Sequence, residues 1–305
     1  MAGLRMYFSG IEGQGHFDAC VNAGCRRLLI SYLYIEKNGD FDVLKRRKKK
    51  HPELSFMVDS GAHTFQSDKA KYSSWNLRAF EGFLTRYVRW LRQNRSCVDV
   101  AVELDIDWIV GAPVVEGWQK RFFQPLLEDG FPIIFVWHHQ RGFDGWEEMC
   151  SKFPYVGLPG EFSSEPDFNK YISVARRYTT KVHGFGASKQ MDFRDYASAW
   201  HSSDSTTWKS SERYGTLIHW DANIQKLVFE EDKARRVDYR KFFEAHQLDA
   251  DGIINDTNYR EVTKYALISM RLMEKFYSDK YRERVYFHEL RLPHTAAVKR
   301  MKDGR

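Results

Sequence analysis

The amino-acid sequence predicts an α/β fold, specifically a TIM (β/α)8 barrel with a C-terminal helical appendage. Short apolar runs alternate with longer amphipathic runs over the first two-thirds of the chain, and eight of the apolar runs have the length of strands. A doubly wound open sheet would show a similar alternation, so the pattern favours the barrel without excluding the open sheet. In both architectures ligands bind beyond the carboxyl ends of the parallel strands, which directs attention to the polar residues that follow each apolar run.

The predicted strands are the apolar segments that end in glycine or in polar residues. They are Met6–Gly10, Arg27–Tyr32, Ser55–Gly61, Val98–Ile106, Phe131–His138, Tyr155–Gly160, Lys181–Ala187 and Ala197–Ser205. Amphipathic segments between them predict helices, namely Asp42–Lys50, Leu77–Arg92, Trp146–Phe153 and Glu165–Tyr178. We expect a barrel domain over residues 1–215 and, over residues 216–305, an appendage that packs on it. The appendage is predicted to contain a strand at Leu217–Trp220 and helices at Val237–His246 and Tyr259–Tyr277.

The composition is that of a globular protein, and we expect it to stay in the cytoplasm where it is made. Of the 305 residues, 43% are hydrophobic and 29% are charged, which supplies both a core and a solvated surface. No run approaches the roughly 18 apolar residues of a membrane span, and the first residues lack the apolar core of a secretory signal. The 4 cysteines are scattered without a Cys-x-x-Cys pair, so we expect reduced structural thiols.

The basic residues are unevenly placed, although the formal net charge is only +6. One uninterrupted basic run consists of Lys45, Arg46, Arg47, Lys48, Lys49 and Lys50. Clustered cations neutralise phosphates and release their counterions, so this run is a candidate contact for nucleic acid. A solvated helix face would give the same pattern.

Two of the predicted strands change abruptly from apolar residues to an aspartate. In the third strand the change comes at Asp59, followed by Ser60 and Gly61, and in the eighth it comes at Asp204, which is flanked by hydroxyl side chains. A carboxylate at such a position lies at the mouth of its strand, where barrel enzymes assemble their active sites. The alternative is that each aspartate caps the segment that follows it, a role that Asp favours.

The fourth predicted strand carries three acids at alternate positions, Glu103, Asp105 and Asp107. Because side chains alternate across a strand, the apolar residues between them, Val102 and Leu104 among them, should face the helices and the acids should face the barrel interior. Inward carboxylates are costly unless they are paired, hydrogen-bonded or used in chemistry. A solvated edge strand is the alternative.

The remaining strand ends give weaker signals. His138 and His139 follow the fifth strand, but as neighbours they would point to opposite faces and no third ligand has suitable spacing, so a metal site is not favoured. The sixth strand ends in a glycine-rich turn at Gly157–Glu161, which offers bare backbone groups to a flat ligand or is simply a turn.

These segments, in their order, resemble the motifs of the tRNA-guanine transglycosylase superfamily, most closely its phage-type branch that places 7-deazaguanines in DNA. The resemblance spans Met6 to Gly215. It rests on DSGA at Asp59–Ala62, ELDID at Glu103–Asp107, GLPGE at Gly157–Glu161, VHGFG at Val182–Gly186 and DSTTW at Asp204–Trp208.

The resemblance implies roles for individual residues. Asp204 falls where the family has its covalent nucleophile, and Asp59 matches the general acid and base that handles the purine protons. Asp105 matches the carboxylate that reads the guanine edge, with Asp107 or Glu103 as alternatives.

Further candidates follow from the same motifs. His63 stands where the family stacks an aromatic ring on the base, and the glycine-rich turn is similar to the family's backbone-presenting turn. The additional substrate-binding candidates are Ser60, His63, His139, Gly157, Leu158, Gly160, His183 and Gly184. Candidate nucleic-acid contacts are the basic run at Lys45–Lys50 and the ring of Trp208, for which packing in the core is an equally good interpretation.

The implied function is a pentosyltransferase reaction in which guanine in DNA is exchanged for a 7-deazaguanine, such as the 7-cyano form, through a covalent Asp-glycosyl intermediate. The expected partners are DNA and the deazaguanine base, in the host cytoplasm if the protein is phage-encoded. The same chemistry on tRNA is the close alternative, and a glycoside or nucleoside hydrolase on the same barrel is a more distant one.

The sequence also departs from the family. The tRNA enzymes carry a Cys-x-Cys-x-x-Cys zinc site after the catalytic region, whereas no cysteine follows Cys150 here. We therefore expect no cofactor and no zinc, and a different mode of docking from that of the tRNA enzymes. Ala62 replaces the second glycine of the aspartate motif.

Overall fold

Eight parallel strands close into a barrel in chain order, with β1 paired to β8, which confirms the predicted fold class. The computed structural model describes residues 4–67, 72, 74–187 and 193–289. Residues 1–3 of the predicted barrel domain and 290–305 of the predicted appendage lie outside the described residues. The barrel strands are β1 Arg5–Phe8, β2 Arg27–Ser31, β3 Ser55–Asp59, β4 Val100–Val102, β5 Ile133–Val136, β6 Tyr155–Pro159, β7 Lys181–Phe185 and β8 Ser202–Ser205.

The fourth strand differs most from its prediction. It is short and ends at Val102, so that Leu104 and Asp105 already belong to the loop that follows it. The interior of the barrel is filled by one apolar cluster, made of Tyr7, Leu29, Met57, Val100, Val102, Ile134, Val136 and Tyr155. Val102 therefore faces the barrel interior, and the prediction that it faces the helices is wrong, whereas Leu104 does pack in the outer core.

Helices surround the barrel and fill the connections. Those of the barrel region are α1 Gln14–Asn22, α2 Tyr32–Asn38, α3 Val43–Lys50, α4 Ala62–Ser67, α5 Leu77–Gln93, α6 Asp107–Val110, α7 Ala112–Trp118, α8 Gln124–Glu128, α9 Gly142–Lys152, α10 Phe168–Arg177, α11 Phe193–Tyr196 and α12 Lys209–Tyr214. A π-helical turn at Gln119–Phe123 joins α7 to α8, and 3-10 turns lie at His139–Arg141, Gly160–Ser164 and Ala197–Ala199.

Helix α5 shows how the sequence positions the strand ends. Asn76 caps the helix by accepting a hydrogen bond from the Ala79 N–H at 3.1 Å. The buried face of the helix places the Tyr87 hydroxyl 3.1 Å from the Val58 carbonyl oxygen and 2.9 Å from that of Val102. One phenol thus ties together the ends of β3 and β4, immediately before the candidate acids.

Beyond α12 the chain forms a hairpin and a group of helices. The elements are β9 Leu217–Asp221, β10 Lys226–Glu230, a 3-10 turn at Lys233–Tyr239, α13 Arg240–Ala245, α14 Ala250–Ile254 and α15 Tyr259–Glu289. Glu274 of α15 accepts hydrogen bonds from the Met6 N–H at 3.0 Å and from Arg27 at 2.6 Å, so α15 is fastened to the starts of β1 and β2. Of the helices in the described residues, none has the length and apolar character that crossing a membrane requires.

Candidate active site

Three aspartates from distant parts of the chain meet at the mouth of the barrel. In the sheet register Asp59 pairs with Ser31 and Asp204 with Tyr7, and Asp105 follows the end of β4. Burial raises the pKa of Asp59 to about 7, and the neighbouring charges of Asp105 and then Asp204 add to this rise. The three carboxylates therefore share one electrostatic environment.

The turn after β3 requires the Asp-Ser-Gly sequence. Gly61 has a φ of +97°, and a Cβ at this position would lie 2.5 Å from Leu33 Cβ, so only glycine fits. In this conformation the Gly61 N–H donates a hydrogen bond to Asp59 Oδ2 at 3.1 Å. Ser60 is buried and donates to the Glu103 carbonyl oxygen at 2.8 Å, so its hydroxyl joins β3 to the β4 loop.

Asp204 is surrounded by hydrogen-bond donors. Oδ1 accepts from the Gly186 N–H at 2.9 Å and lies 3.4 Å from His183 Nε2, while Oδ2 accepts from the Ser9 hydroxyl at 3.3 Å. The side chain is 18% exposed, so the carboxylate is open to the barrel mouth. This arrangement suits a carboxylate that acts in its ionised form.

Asp105 is paired with a histidine. His138 Nε2 lies 3.3 Å from Asp105 Oδ2, and Gln66 fixes the loop by donating to the Asp105 carbonyl oxygen at 2.7 Å. Burial raises the pKa of Asp105, and His138 opposes the rise. Burial lowers the pKa of His138, but the Asp105 carboxylate and then Asp107 outweigh it, so the pKa of His138 is raised.

The other two acids of this loop are held by partners away from the opening. The Asp107 side chain is completely buried and forms an ion pair with Arg141 at 2.6 Å. Glu103 is fully buried, and its Oε1 accepts from the Gln119 amide at 2.9 Å and from the Val136 N–H at 2.7 Å. Burial raises the pKa of Glu103 far above its ordinary value. Of the three acids, Asp105 is the most accessible to a ligand, at 16% exposure of its side chain.

Packing accounts for the glycines of the sixth and seventh strand ends. A Cβ on Gly157 would collide with the ring of Phe185, and one on Gly160 would lie 2.5 Å from Ala187 Cα. Gly184 packs against Trp200 in the same way, and the Leu158 side chain is buried in the outer core. Their predicted role in presenting backbone groups to a substrate stays a prediction.

Burial removes two residues from the candidate nucleic-acid contacts, which corrects the sequence-based prediction. Trp208 is completely buried, and its Nε1–H donates to the Ser9 carbonyl oxygen at 3.1 Å, so neither ring face is open to a nucleotide. Arg47 is 5% exposed and donates to the Ile11 carbonyl oxygen at 3.1 Å. Both side chains can be buried in the core because their polar ends donate hydrogen bonds to backbone carbonyls there.

The rest of the basic run lies along α3. Lys45, Arg46, Lys49 and Lys50 are exposed, whereas Lys48 is half-buried and donates to the Leu54 carbonyl oxygen. Lys45 pairs with Asp42 and Arg46 with Asp40, which reduces the positive potential of this helix.

Sequence reasoning missed His138 and chose its neighbour. His139 and His63 are exposed, and the His139 ring contacts Trp137 and Phe162 rather than the acids. The missed signal is the alternation along β5. Ile134 and Val136 face the barrel interior, so the next inward position is His138.

The same alternation along β1 points from Tyr7 to Ser9, which contacts Asp204. Trp108, directly after Asp107, is a further residue that the sequence analysis did not single out, and it is 67% exposed.

The described residues contain no group of three or more His, Cys, Asp or Glu side chains arranged to hold a metal ion. An open cleft of about 790 Å³ lies outside the barrel, between α1, α12 and the start of α15. His16 and Glu212 are among the side chains that line it, but the three aspartates are not. The convergent acids make the barrel mouth the candidate active site.

No protein-family model and no curated protein matches the sequence. Among solved structures, the YdjI aldolase from Escherichia coli K12 is similar over 89% of this chain and 91% of its own, with 10% identity and a TM-score of 0.47. A designed cube-shaped protein cage built by fusing symmetric oligomeric domains is similar over 99% of this chain and 82% of its own, with 10% identity and a TM-score of 0.45. The aldo-keto reductase MGS-M4 from a Medee basin deep-sea metagenome library is similar over 88% and 92%, with 10% identity and a TM-score of 0.39. At these values the likenesses carry no argument about activity.

Proposed function

We propose that this chain is a base-exchange transglycosylase that replaces guanine in DNA by a 7-deazaguanine, such as the 7-cyano form. The observation that carries the proposal is the meeting of three carboxylates in three different environments. Asp59 has a pKa raised to about 7, Asp204 is surrounded by donors, and Asp105 is paired with His138. A carboxyl group with a raised pKa can both give up and take back a proton near neutral pH, which is the role that the exchange requires of Asp59.

In the first half-reaction Asp204 attacks C1′ of the nucleotide. A bond forms between a carboxylate oxygen and C1′, the N9–C1′ bond breaks, and its electron pair leaves with guanine. Asp59, whose pKa of about 7 keeps the protonated form populated near neutral pH, gives its proton to the departing base. The nucleic acid is then held as an ester of Asp204.

In the second half-reaction the deazaguanine takes the place of guanine. Asp59, now ionised, removes the proton from N9 of the incoming base, and N9 forms a bond with C1′ as the ester bond breaks. The electron pair returns to Asp204, and both carboxyl groups regain their starting states. The exchange consumes no water and needs no redox step.

Asp105 supplies selectivity for the base. A carboxylate accepts two hydrogen bonds from the N1–H and the N2 amino group of guanine, an edge that a 7-deazaguanine shares and adenine lacks. Its accessibility, together with the ion pair that occupies Asp107 and the partners of Glu103, favours Asp105 over these alternatives.

A base inside a duplex cannot reach such a cavity, so the target nucleotide must be extruded or single-stranded. The exposed ring of Trp108 and the exposed cations of α3 are the candidate contacts for the strand. The preference for DNA over tRNA as the substrate rests on the resemblance to the phage-type branch. It also rests on the zinc motif of the tRNA enzymes, which this sequence lacks.

The test uses free radiolabelled guanine as the incoming base. The enzyme should exchange it for guanine in the nucleic acid, so this assay does not need the natural 7-deazaguanine. Purified protein is incubated with a guanine-containing oligodeoxynucleotide or with tRNA, and the label that enters each polymer is counted. A parallel reaction with 7-cyano-7-deazaguanine is analysed by nucleoside mass spectrometry. Asp204→Asn and Asp59→Asn are expected to abolish incorporation, whereas Asp129→Asn, which changes an exposed carboxylate in the turn before β5, should not.

The products separate the candidate functions. Label in DNA supports the proposal, and label in tRNA alone would replace DNA by tRNA as the substrate. Abasic sites without incorporation would show a hydrolase, and no reaction with any polymer would refute the proposal.

A further inference from the structure

A chain of buried polar side chains leads through the barrel to Asp204. The Tyr155 hydroxyl of β6 is hydrogen-bonded to the Ser202 hydroxyl of β8, and Ser202 Oγ lies 2.6 Å from His183 Nδ1. His183 Nε2, which is buried and makes no hydrogen bond to the described residues, faces Asp204 Oδ1 at 3.4 Å. His183 and Ser202 are completely buried, and Tyr155 is 8% exposed. These contacts form one continuous line of polar atoms that ends at the proposed nucleophile.

The direction of the hydrogen bonds follows from the groups at the two ends. Burial raises the pKa of Tyr155 well above its ordinary value, so its hydroxyl keeps the proton and donates to Ser202. Ser202 can then donate to Nδ1, which leaves the proton of a neutral His183 on Nε2. The reverse order would aim the Nε2 lone pair at an anionic carboxylate, and two acceptors at this distance repel each other.

The two oxygens of Asp204 have unequal environments. Oδ1 accepts from the backbone N–H of Gly186 at 2.9 Å and faces His183, so both of its neighbours are fixed by the barrel. Within the part of the chain that the structure describes, Oδ2 accepts only a long hydrogen bond of 3.3 Å from Ser9, whose hydroxyl can rotate. The Phe185 ring packs on the ring of His183 with 4.4 Å between centroids, which holds the imidazole in place.

We infer that His183 is a positioning residue whose Nε2–H fixes Oδ1 of Asp204, and that Oδ2 is the oxygen that bonds to C1′. Tyr155 and Ser202 hold His183 in the required tautomer. When the ester bond to C1′ breaks, its electron pair returns to Oδ2 and the restored carboxylate regains its contact with His183. The assignment of the attacking oxygen rests on the proposed function, but the tautomer of His183 does not.

The tautomer is measured directly by long-range ¹H–¹⁵N correlation spectra of the imidazoles in the full-length protein, with the His183 signals assigned by their loss in His183→Gln. We expect wild-type His183 to carry its proton on Nε2. Tyr155→Phe removes one hydroxyl with almost no change of shape, and it should shift the population toward the Nδ1–H tautomer.

The kinetic test compares two substitutions of His183 in the guanine exchange reaction. His183→Leu keeps the volume but removes the donor, and kcat should fall about 10- to 100-fold with little change in KM, as expected if Nε2–H donates to the charged Asp204 carboxylate during the reaction. His183→Gln can place an amide donor near the position of Nε2 and should retain most of the wild-type kcat. Circular dichroism and melting temperature identify variants that keep the barrel.

An Nδ1–H tautomer in the wild-type protein would overturn the inference, and so would equal kcat values for folded Leu and Gln variants. If the Leu variant does not fold, the Tyr155→Phe variant decides. The inference is overturned if that variant has the kcat and the His183 tautomer of the wild-type protein. A wild-type protein that exchanges no base refutes the proposed function, while the spectrum still decides whether His183 presents its proton to Asp204.

Discussion

The Asp59→Asn variant should be more stable than the wild-type protein, by a margin that grows as the pH rises, and it should lack the proposed activity. Burial, then the charges of Asp105 and Asp204, raise the pKa of Asp59 from 3.8 to about 7. A difference of one unit between the pKa values of a group in the folded and unfolded states corresponds to about 1.4 kcal/mol of stability. Because the side chain is partly exposed and solvent screens it, ionised Asp59 should cost the folded state about 2 to 4 kcal/mol.

The pH dependence has a definite sign. Below pH 3.8 the carboxyl group is protonated in both states, and Asp59 costs nothing. Between 3.8 and about 7 the unfolded chain releases the proton and the folded chain keeps it, so the free energy of unfolding falls as the pH rises. Above about 7 the cost is complete. Asparagine resembles the protonated acid and does not titrate, so the advantage of the variant should grow through this window.

Urea denaturation of wild type, Asp59→Asn and the exposed control Asp129→Asn at several pH values between about 4 and 8 measures the difference. The gap between Asp59→Asn and wild type should be small near pH 4 and largest near pH 8, whereas Asp129→Asn should follow wild type throughout. A gap that is the same at both ends of the range would contradict the reasoning, because it would mean that Asp59 titrates normally in the folded protein.

Three further predictions concern the surroundings of the site. Arg141→Met leaves the buried carboxylate of Asp107 without its ion pair and should destabilise the protein by about 3 to 5 kcal/mol in urea denaturation, with partial recovery when Asp107→Asn is added. Trp108→Ala should weaken binding of a single-stranded oligonucleotide by about 1 to 3 kcal/mol in fluorescence anisotropy, and Tyr214→Ala, which removes an equally exposed ring at the end of α12, should not. Gly160→Ala should lower the free energy of unfolding by about 1 to 3 kcal/mol, because its Cβ meets backbone atoms that cannot move aside; a melting temperature equal to that of wild type would refute this.

The sequence predicted the strands well where an apolar run changes sharply to polar residues. The change from apolar residues to Asp59 coincides with the last residue of the observed β3, two residues before the predicted end at Gly61, and Asp204 lies within β8. Such changes are visible because a barrel strand is apolar while it is covered on both faces and becomes polar where it reaches the mouth.

The inward and outward faces were harder to assign. In β4 the alternation was extended through Asp107, but the strand ends at Val102 and the chain then changes direction. The end of a strand is set by backbone hydrogen bonds to its neighbours, and side-chain periodicity does not record them. The same uncertainty directed attention to His139 rather than to His138.

The sequence also does not predict which side chains with polar ends are buried. Trp208 and Arg47 occupy segments that read as surface, yet each ends on a backbone carbonyl of the β1 loop. Whether such a carbonyl is available depends on how distant segments pack, and a local pattern contains no information on that.

During translation β1 is synthesised long before Glu274, the residue whose carboxylate anchors it. The Met6 N–H and Glu274 are 268 residues apart along the chain, and Arg27 reaches the same carboxylate. While α15 is still being synthesised, the starts of β1 and β2 lack this fastening, and the apolar surface that α15 later covers stays open to other chains. Translation speed and chaperone supply, more than the final stability, should then set the yield of correctly folded protein, and fragments that stop short of Glu274 should aggregate.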